Sequence, residues 1–190
     1  WWVTEAGGWS EPRALLAFGC TALWGLRLTS NWVTHFEGLD HEDWRYVDLR
    51  KKTGGAYPVA SFFALHAFPF TLVTLGTLPV YTAIGSRAPL GAIDVAAVIA
   101  GIGAVVLETI SDIQLHRFRR DNRDPSRFCD TGLWALSRHP NYCGEAVYWW
   151  SAALFGLAAG GGVMMVLGAV GVTAMILFAS IPMAEKRALA

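Results

Sequence analysis

The sequence predicts an all-α integral membrane protein with about five transmembrane helices in this chain and a cofactor cavity open to the cytoplasm. Three observations carry the fold expectation. Hydrophobic residues make up 54% of the 190 residues and charged ones 16%, where a soluble domain carries about 25% charged. Mean hydropathy is +0.38. The uncharged run from Ala146 to Ala184 is too long for one crossing and suits the rest of one helix plus another complete one.

Trp1, Trp2 and Trp9 with Gly7 and Gly8 suit an interfacial segment, where amphipathic rings sit at headgroup level. The first helix is predicted from about Pro12 to His35, with Pro12 in its first turn. Arg27 interrupts its second half, either snorkelling to the interface or serving a ligand. Residues 36–56 are polar and read as a loop with at most one amphipathic turn.

From Tyr57 to Tyr81 the chain is apolar except for His66, and Pro69 and Pro79 predict bends. His66 is expected to hydrogen-bond a neighbouring helix rather than hold a metal. A third span is predicted from about Ala92 to Gln114, started by Asp94 as a cap, with Gly101 and Gly103 permitting close helix packing. A basic loop at 116–131 precedes a fourth span, Gly132 to Gly156. Gly160, Gly161 and Gly162 then separate it from the fifth. The whole of 1–190 reads as a single membrane domain. The absence of Met or a signal n-region before Trp1-Trp2, and the stop at EKRALA, suggest that N-terminal helices and a short C-terminal tail lie outside it.

Five spans place the loops 36–56 and 116–131 and the C-terminus on one side. That side carries Arg45, Arg50, Lys51, Lys52, Arg117, Arg119, Arg120, Arg123, Arg127, Lys186 and Arg187, so the positive-inside bias makes it cytoplasmic. Net charge is zero and no basic amphipathic surface helix is present, which excludes nucleic acid as a partner. Cys20, Cys129 and Cys143 have neither CxxC spacing nor a nearby histidine pair, so no disulfide framework or metal site follows.

Most ionisable side chains near apolar sequence fall between Glu108 and Glu145. Glu108, Asp112 and His116 recur every four residues and form one helical stripe, with Arg119 next to His116. Arg138, His139, Asn141 and Glu145 share a second face if the helix survives Pro140. Ionised groups are costly in lipid, so their convergence at one depth with Arg27 points to a site. Carboxylate and amide walls beside five loop arginines suit a phosphorylated cofactor. Lipid headgroups are the alternative partner of those arginines.

The stretch SRHPNYCGE, preceded by CDTGLW and followed by YWW, resembles the signature of the DUF1295 membrane proteins, which belong with the steroid 5-alpha-reductases and resemble the delta-14 sterol reductases. LWGLRL at 23–28, HEDWRY at 41–46 and the pattern Asp112, Gln114, Phe118 extend the resemblance over nearly the whole chain. It implies an enzyme that holds NADPH and delivers hydride to a conjugated C=C bond of a hydrophobic steroid-, sterol- or lipid-like substrate. It implies cofactor contacts from Asn141, Tyr142, Gly144 and Glu145 together with Arg138 and His139. Arg119 and Arg127 would take phosphates, Asp112 and Glu108 would meet hydroxyls or the amide, and Arg27 would close the far wall. Gly144 would leave room for a ring.

Two departures from the steroid reductases stand out. Their carbonyl-polarising Tyr falls nearest Trp24 here, and Glu108 stands where they have Asn. Tyr148, one turn beyond Glu145, is a candidate proton donor, with aromatic packing as its other reading. RHPNY is also similar to the RHPxYxG motif of isoprenylcysteine and lipid methyltransferases, which use S-adenosylmethionine. A non-catalytic helical scaffold is the third reading.

Overall fold

The computed structural model describes residues 11–36, 38, 40, 42–124 and 127–188. The interfacial reading of Trp1, Trp2 and Trp9, and His41 of the HEDWRY loop, lie outside them. Among the described residues all regular structure is helical, and three helical stretches are long and apolar enough to cross a membrane: Trp44–Gly85, Ala92–Asp121 and Val163–Arg187.

Helix α1 spans Pro12–Thr34, with Pro12 in the first turn, where its missing N–H costs nothing. Helix α2, Trp44–Thr53, is capped by the Asp43 carboxylate, which accepts from the Arg45 backbone N–H at 2.9 Å. It ends at Gly54, whose φ of +51° few side chains tolerate. The segment predicted as a loop is thus helical from Trp44 and runs on through a 3-10 turn, Gly54–Ala56, into α3, Tyr57–Ser61. A π-helical segment at Phe62–Ala67 then leads into α4, Phe68–Gly85. This wider turn precedes Pro69, which cannot donate to the backbone ladder. The His66 ring bonds the Ser61 carbonyl of its own segment at 2.9 Å instead of a neighbouring helix.

Helix α5, Ala92–Asp121, has 30 residues. At 1.5 Å per residue it is about 45 Å long, against roughly 30 Å of hydrocarbon. Its last turns therefore carry Arg117, Arg119 and Arg120 as helix where a loop was predicted. The connector folds back on α5: Trp134 Nε1 donates to the Ser111 carbonyl at 2.9 Å, and the Leu133 N–H donates to Gln114 Oε1 at 2.9 Å. Helix α6, Pro140–Ala158, begins on Pro140, and Gly132 to Ala135 forms a separate 3-10 turn. Helices α7, Leu167–Met175, and α8, Ile181–Ala188, complete the described chain through a π-helical segment at Ile176–Ser180.

Helix α6 lies at the centre. Tyr148, Trp149 and Ala153 join Leu72 of α4 and Ala169 and Val172 of α7 in one core cluster, while Ala152 and Phe155 join Ala17 and Cys20 of α1, Val80 of α4 and Ala97 of α5 in another. Gly101 is a close-approach point, because a Cβ there would lie 2.8 Å from Ser151 Oγ and 3.2 Å from Cys20 Sγ. Gly103, predicted to share that role, faces open space instead. The two are 200° apart around the helix, so only one meets α1 and α6.

At the end opposite the site, Arg13 is 2% exposed and pairs with Asp94 at 2.7 Å and 2.9 Å. Its remaining donors reach Ser86 Oγ at 3.0 Å and the carbonyls of Ala88 and Pro89. Asp94 accepts from the Gly91 N–H at 2.8 Å, so it caps the helix from its third position, behind Gly91, and its pairing with Arg13 left no signal in the sequence. Exposed apolar side chains such as Phe62, Phe70, Ile99 and Phe178 cover the outside, as a lipid-facing surface requires.

Candidate functional site

Helices α1 and α5 run side by side in the same direction. The pair Arg13 and Asp94 marks their start, and the His35 and His116 rings, stacked 3.6 Å apart, mark their end. Between these markers α1 presents Trp24 and Arg27, three residues apart and so on one face. The Arg27 guanidinium donates through one terminal nitrogen to Glu108 Oε2 and through the other to Asp112 Oδ2. All three side chains are at least 86% buried, Glu108 being 2% exposed. The four-residue stripe on α5 thus works as a two-carboxylate fork for one planar cation.

Helix α6 supplies the other wall. Glu145 Oε1 accepts from Trp149 Nε1 at 2.8 Å and Glu145 Oε2 from Trp24 Nε1 at 3.2 Å. The Trp24 ring stacks on Tyr148 at 4.1 Å and 4°. Gly144 lies against Glu108: a Cβ there would meet the Glu108 stem and, at 3.1 Å, the Ala104 carbonyl. The space predicted to admit a ring is filled by Glu108 and the α5 backbone, so Gly144 serves helix contact. Two carboxylates, Glu108 and Asp112, therefore share one guanidinium, and a third, Glu145, is tied through Trp24 to the helix that carries it. Glu108 Oε1 and Asn141 Oδ1 are buried acceptors with no hydrogen-bond partner among the described residues, an arrangement that favours a ligand bringing donors.

Beside the cluster lies a cavity of about 750 Å³ lined by Arg27, Asn31, Asp112, His116, Arg117 and Arg120 among others. A second, of about 360 Å³, is lined by Phe118, Arg119, Arg123, Arg127 and Phe128. The single basic pocket expected from sequence is thus divided. At 100° per residue Arg117 and Arg120 point to one side of α5 and Arg119 to another, where the connector brings in Arg123 and Arg127.

Arg138 and His139 do not share the α6 face with Asn141 and Glu145, which corrects the expected continuous helix. Pro140 opens the helix, so both residues precede it. Arg138 is exposed and pairs with Glu185 of α8 at 3.3 Å; His139 Nε2 lies 3.6 Å from the same carboxylate, and its ring stacks on Tyr142 at 5.3 Å. Arg187 lies 4.7 Å over the Trp44 ring, so the basic end of α8 meets the start of α2. Tyr148 is 1% exposed within its aromatic stack. Sequence reasoning did not single out Trp149, or Trp24 as a donor to Glu145. The four-residue step from Glu145 to Trp149 was a usable signal, whereas the contact from Trp24 spans 121 positions and leaves no local trace.

The larger cavity, with Asp112 and Asn31 beside Arg27, Arg117 and Arg120, fits a ligand that carries both hydrogen-bond donors and anionic groups. A family profile described as a protein of unknown function, DUF1295, matches residues 2–190. An uncharacterized protein of Schizosaccharomyces pombe is 31% identical over 173 residues, covering 79% of this chain and 50% of the relative. The chain thus spans about half the length of that curated relative. No solved structure matches.

Proposed function

Because the chain belongs to the DUF1295 family and its polar side chains converge beside a cavity, we propose that it is an NADPH-dependent membrane reductase acting on a conjugated C=C bond of a hydrophobic substrate. The substrate class is steroid-, sterol- or lipid-like, consistent with the similarity of SRHPNYCGE to the steroid 5-alpha-reductases. In this reading α1 and α6 cross the membrane alongside the three more apolar stretches. The basic end, with its cavity, faces the cytoplasm.

One observation carries the proposal: Arg27, Glu108, Asp112 and Glu145, from three helices, meet at one level with unpartnered acceptors at Glu108 and Asn141. NADPH fits both halves of that chemistry, having a carboxamide donor at one end and phosphates at the other. Glu145 and Asn141 would take the carboxamide, and Asp112 and Glu108 the amide or hydroxyls. Arg119 and Arg127, which line one cavity, would take phosphates. Tyr142, stacked on His139, would form a flat wall at the start of α6. Arg27 would hold the two α5 carboxylates apart from the ligand's anions. When bound, the cofactor supplies the hydride, and the dry aromatic surround of Trp24, Tyr148 and Trp149 keeps water from the reacting face.

The test is titration of the full-length protein in nanodiscs with NADPH and, separately, S-adenosylmethionine. NADPH binds, and Arg127→Ala and Asn141→Ala each weaken it about tenfold, the loss of one charge-assisted or buried hydrogen bond. Undiminished affinity in both variants, or preference for S-adenosylmethionine, overturns the reading.

A further inference from the structure

Glu145 differs from the other carboxylates of the cluster in what holds it. Glu108 and Asp112 face the Arg27 cation, whereas both oxygens of Glu145 are held by neutral indole N–H groups. Neutral donors orient a carboxylate without cancelling its charge, so its remaining lone pairs stay strong acceptors. The two donors are not equivalent. Trp149 is four residues on along the same helix, so its hydrogen bond follows from local geometry wherever α6 lies. Trp24 comes from α1 and fixes the carboxylate relative to the Arg27 fork one turn away. Its ring has little freedom, being stacked on Tyr148 at 4.1 Å and set edge-on to Trp149 at 5.3 Å.

The geometry points to Trp24 as the positioning residue that aims Glu145 at the amide N–H donor of the bound cofactor. This rests on the NADPH reading above and adds a residue and a selectivity to it. Without the Trp24 N–H, Glu145 keeps one anchor and its outer oxygen turns away from the cluster. The protein then loses the share of Glu145, though not that of Asn141, in telling a carboxamide from a ring substituent of the same shape that lacks N–H.

The experiment compares NADPH with its 3-acetylpyridine analogue, in which a methyl ketone replaces the carboxamide, on the full-length protein in nanodiscs. The unmodified protein prefers NADPH by about tenfold, the value of one charge-assisted hydrogen bond. Trp24→Phe, which keeps a stacking ring and removes the donor, brings the two affinities within about twofold. Trp24→His, which keeps a ring N–H, restores the preference. A purely structural role for Trp24 weakens both ligands equally and leaves their ratio alone, which overturns the inference. If Trp24→Phe does not fold, β-(3-benzothienyl)alanine at position 24, isosteric and lacking only the N–H, gives the same ratio measurement. An unmodified protein that binds both ligands equally also overturns the inference while leaving the reductase reading standing. Failure to bind NADPH at all defeats that reading and this one with it.

Discussion

Arg27 on α1 meets Glu108 on α5 across an offset of 81 positions, the same offset at which Arg13 meets Asp94 at the far end of the same helix pair. Cys20 against Gly101 and His35 against His116 keep that offset too. Positions 13, 20 and 27 are a heptad apart, the repeat that keeps one seam of a helix facing a parallel partner. Sliding α1 by a turn would therefore break the ion pairs at both ends at once.

Removing Arg27 leaves two buried carboxylates without their cation. Arg27→Ala is expected to cost about 3–5 kcal/mol, read as a lowered midpoint of thermal unfolding in detergent. Glu108→Gln in the same background recovers part of the loss, since a neutral amide ends one uncompensated charge. Arg13→Leu costs a similar amount at the opposite end and leaves NADPH affinity unchanged. A change of less than about 1 kcal/mol for Arg27→Ala, the range of an exposed pair, would show that the fork does not hold α1 to α5.

Two glycines of α5 test the packing directly. Gly101→Ala forces a methyl against Ser151 and Cys20 and is expected to cost about 1–3 kcal/mol. Gly103→Ala meets open space and is expected to stabilise by up to about 1 kcal/mol through helix propensity. Unfolding midpoints of the two variants, measured in the same detergent, separate in opposite directions.

The Tyr148 ring packs against those of Trp24 and Trp149. Tyr148→Phe keeps the stack with Trp24 and Trp149, so stability and NADPH affinity stay within about 1 kcal/mol of the parent, whereas Tyr148→Ala costs about 3–5 kcal/mol. A Tyr148→Phe variant with intact cofactor affinity and abolished turnover would instead make the hydroxyl the proton donor.

Asp43 gives a pH dependence outside the membrane-spanning helices. The Arg45 guanidinium, followed by the Arg45 backbone N–H, holds its carboxyl below the usual carboxylate range. A depressed value means the cap contributes fully above the ordinary carboxylate pKa and is lost as pH falls through the lower, folded value. Asp43 is 37% exposed, so screening keeps the contribution under about 1 kcal/mol. Amide exchange in the first turn of α2 should accelerate in acid, and Asp43→Asn, which still caps, should remove that dependence.

The helical class, the apolar stretches and the stripe of Glu108, Asp112 and His116 were legible in the sequence because composition and the 3.6-residue period are local properties. So was the doubt over Pro140, whose ring opens α6 and leaves Arg138 and His139 outside the face they were expected to share. Local pattern gives each helix its faces, but not its rotation or the register at which it meets another. The tertiary structure alone decided that Arg27 spans Glu108 and Asp112, that Trp24 reaches Glu145, that Glu108 fills the space beside Gly144, and that α5 divides the arginines between two cavities. Each of these depends on which side chains fit when helices distant in sequence pack to full density, a condition set by the whole assembly and by no single segment.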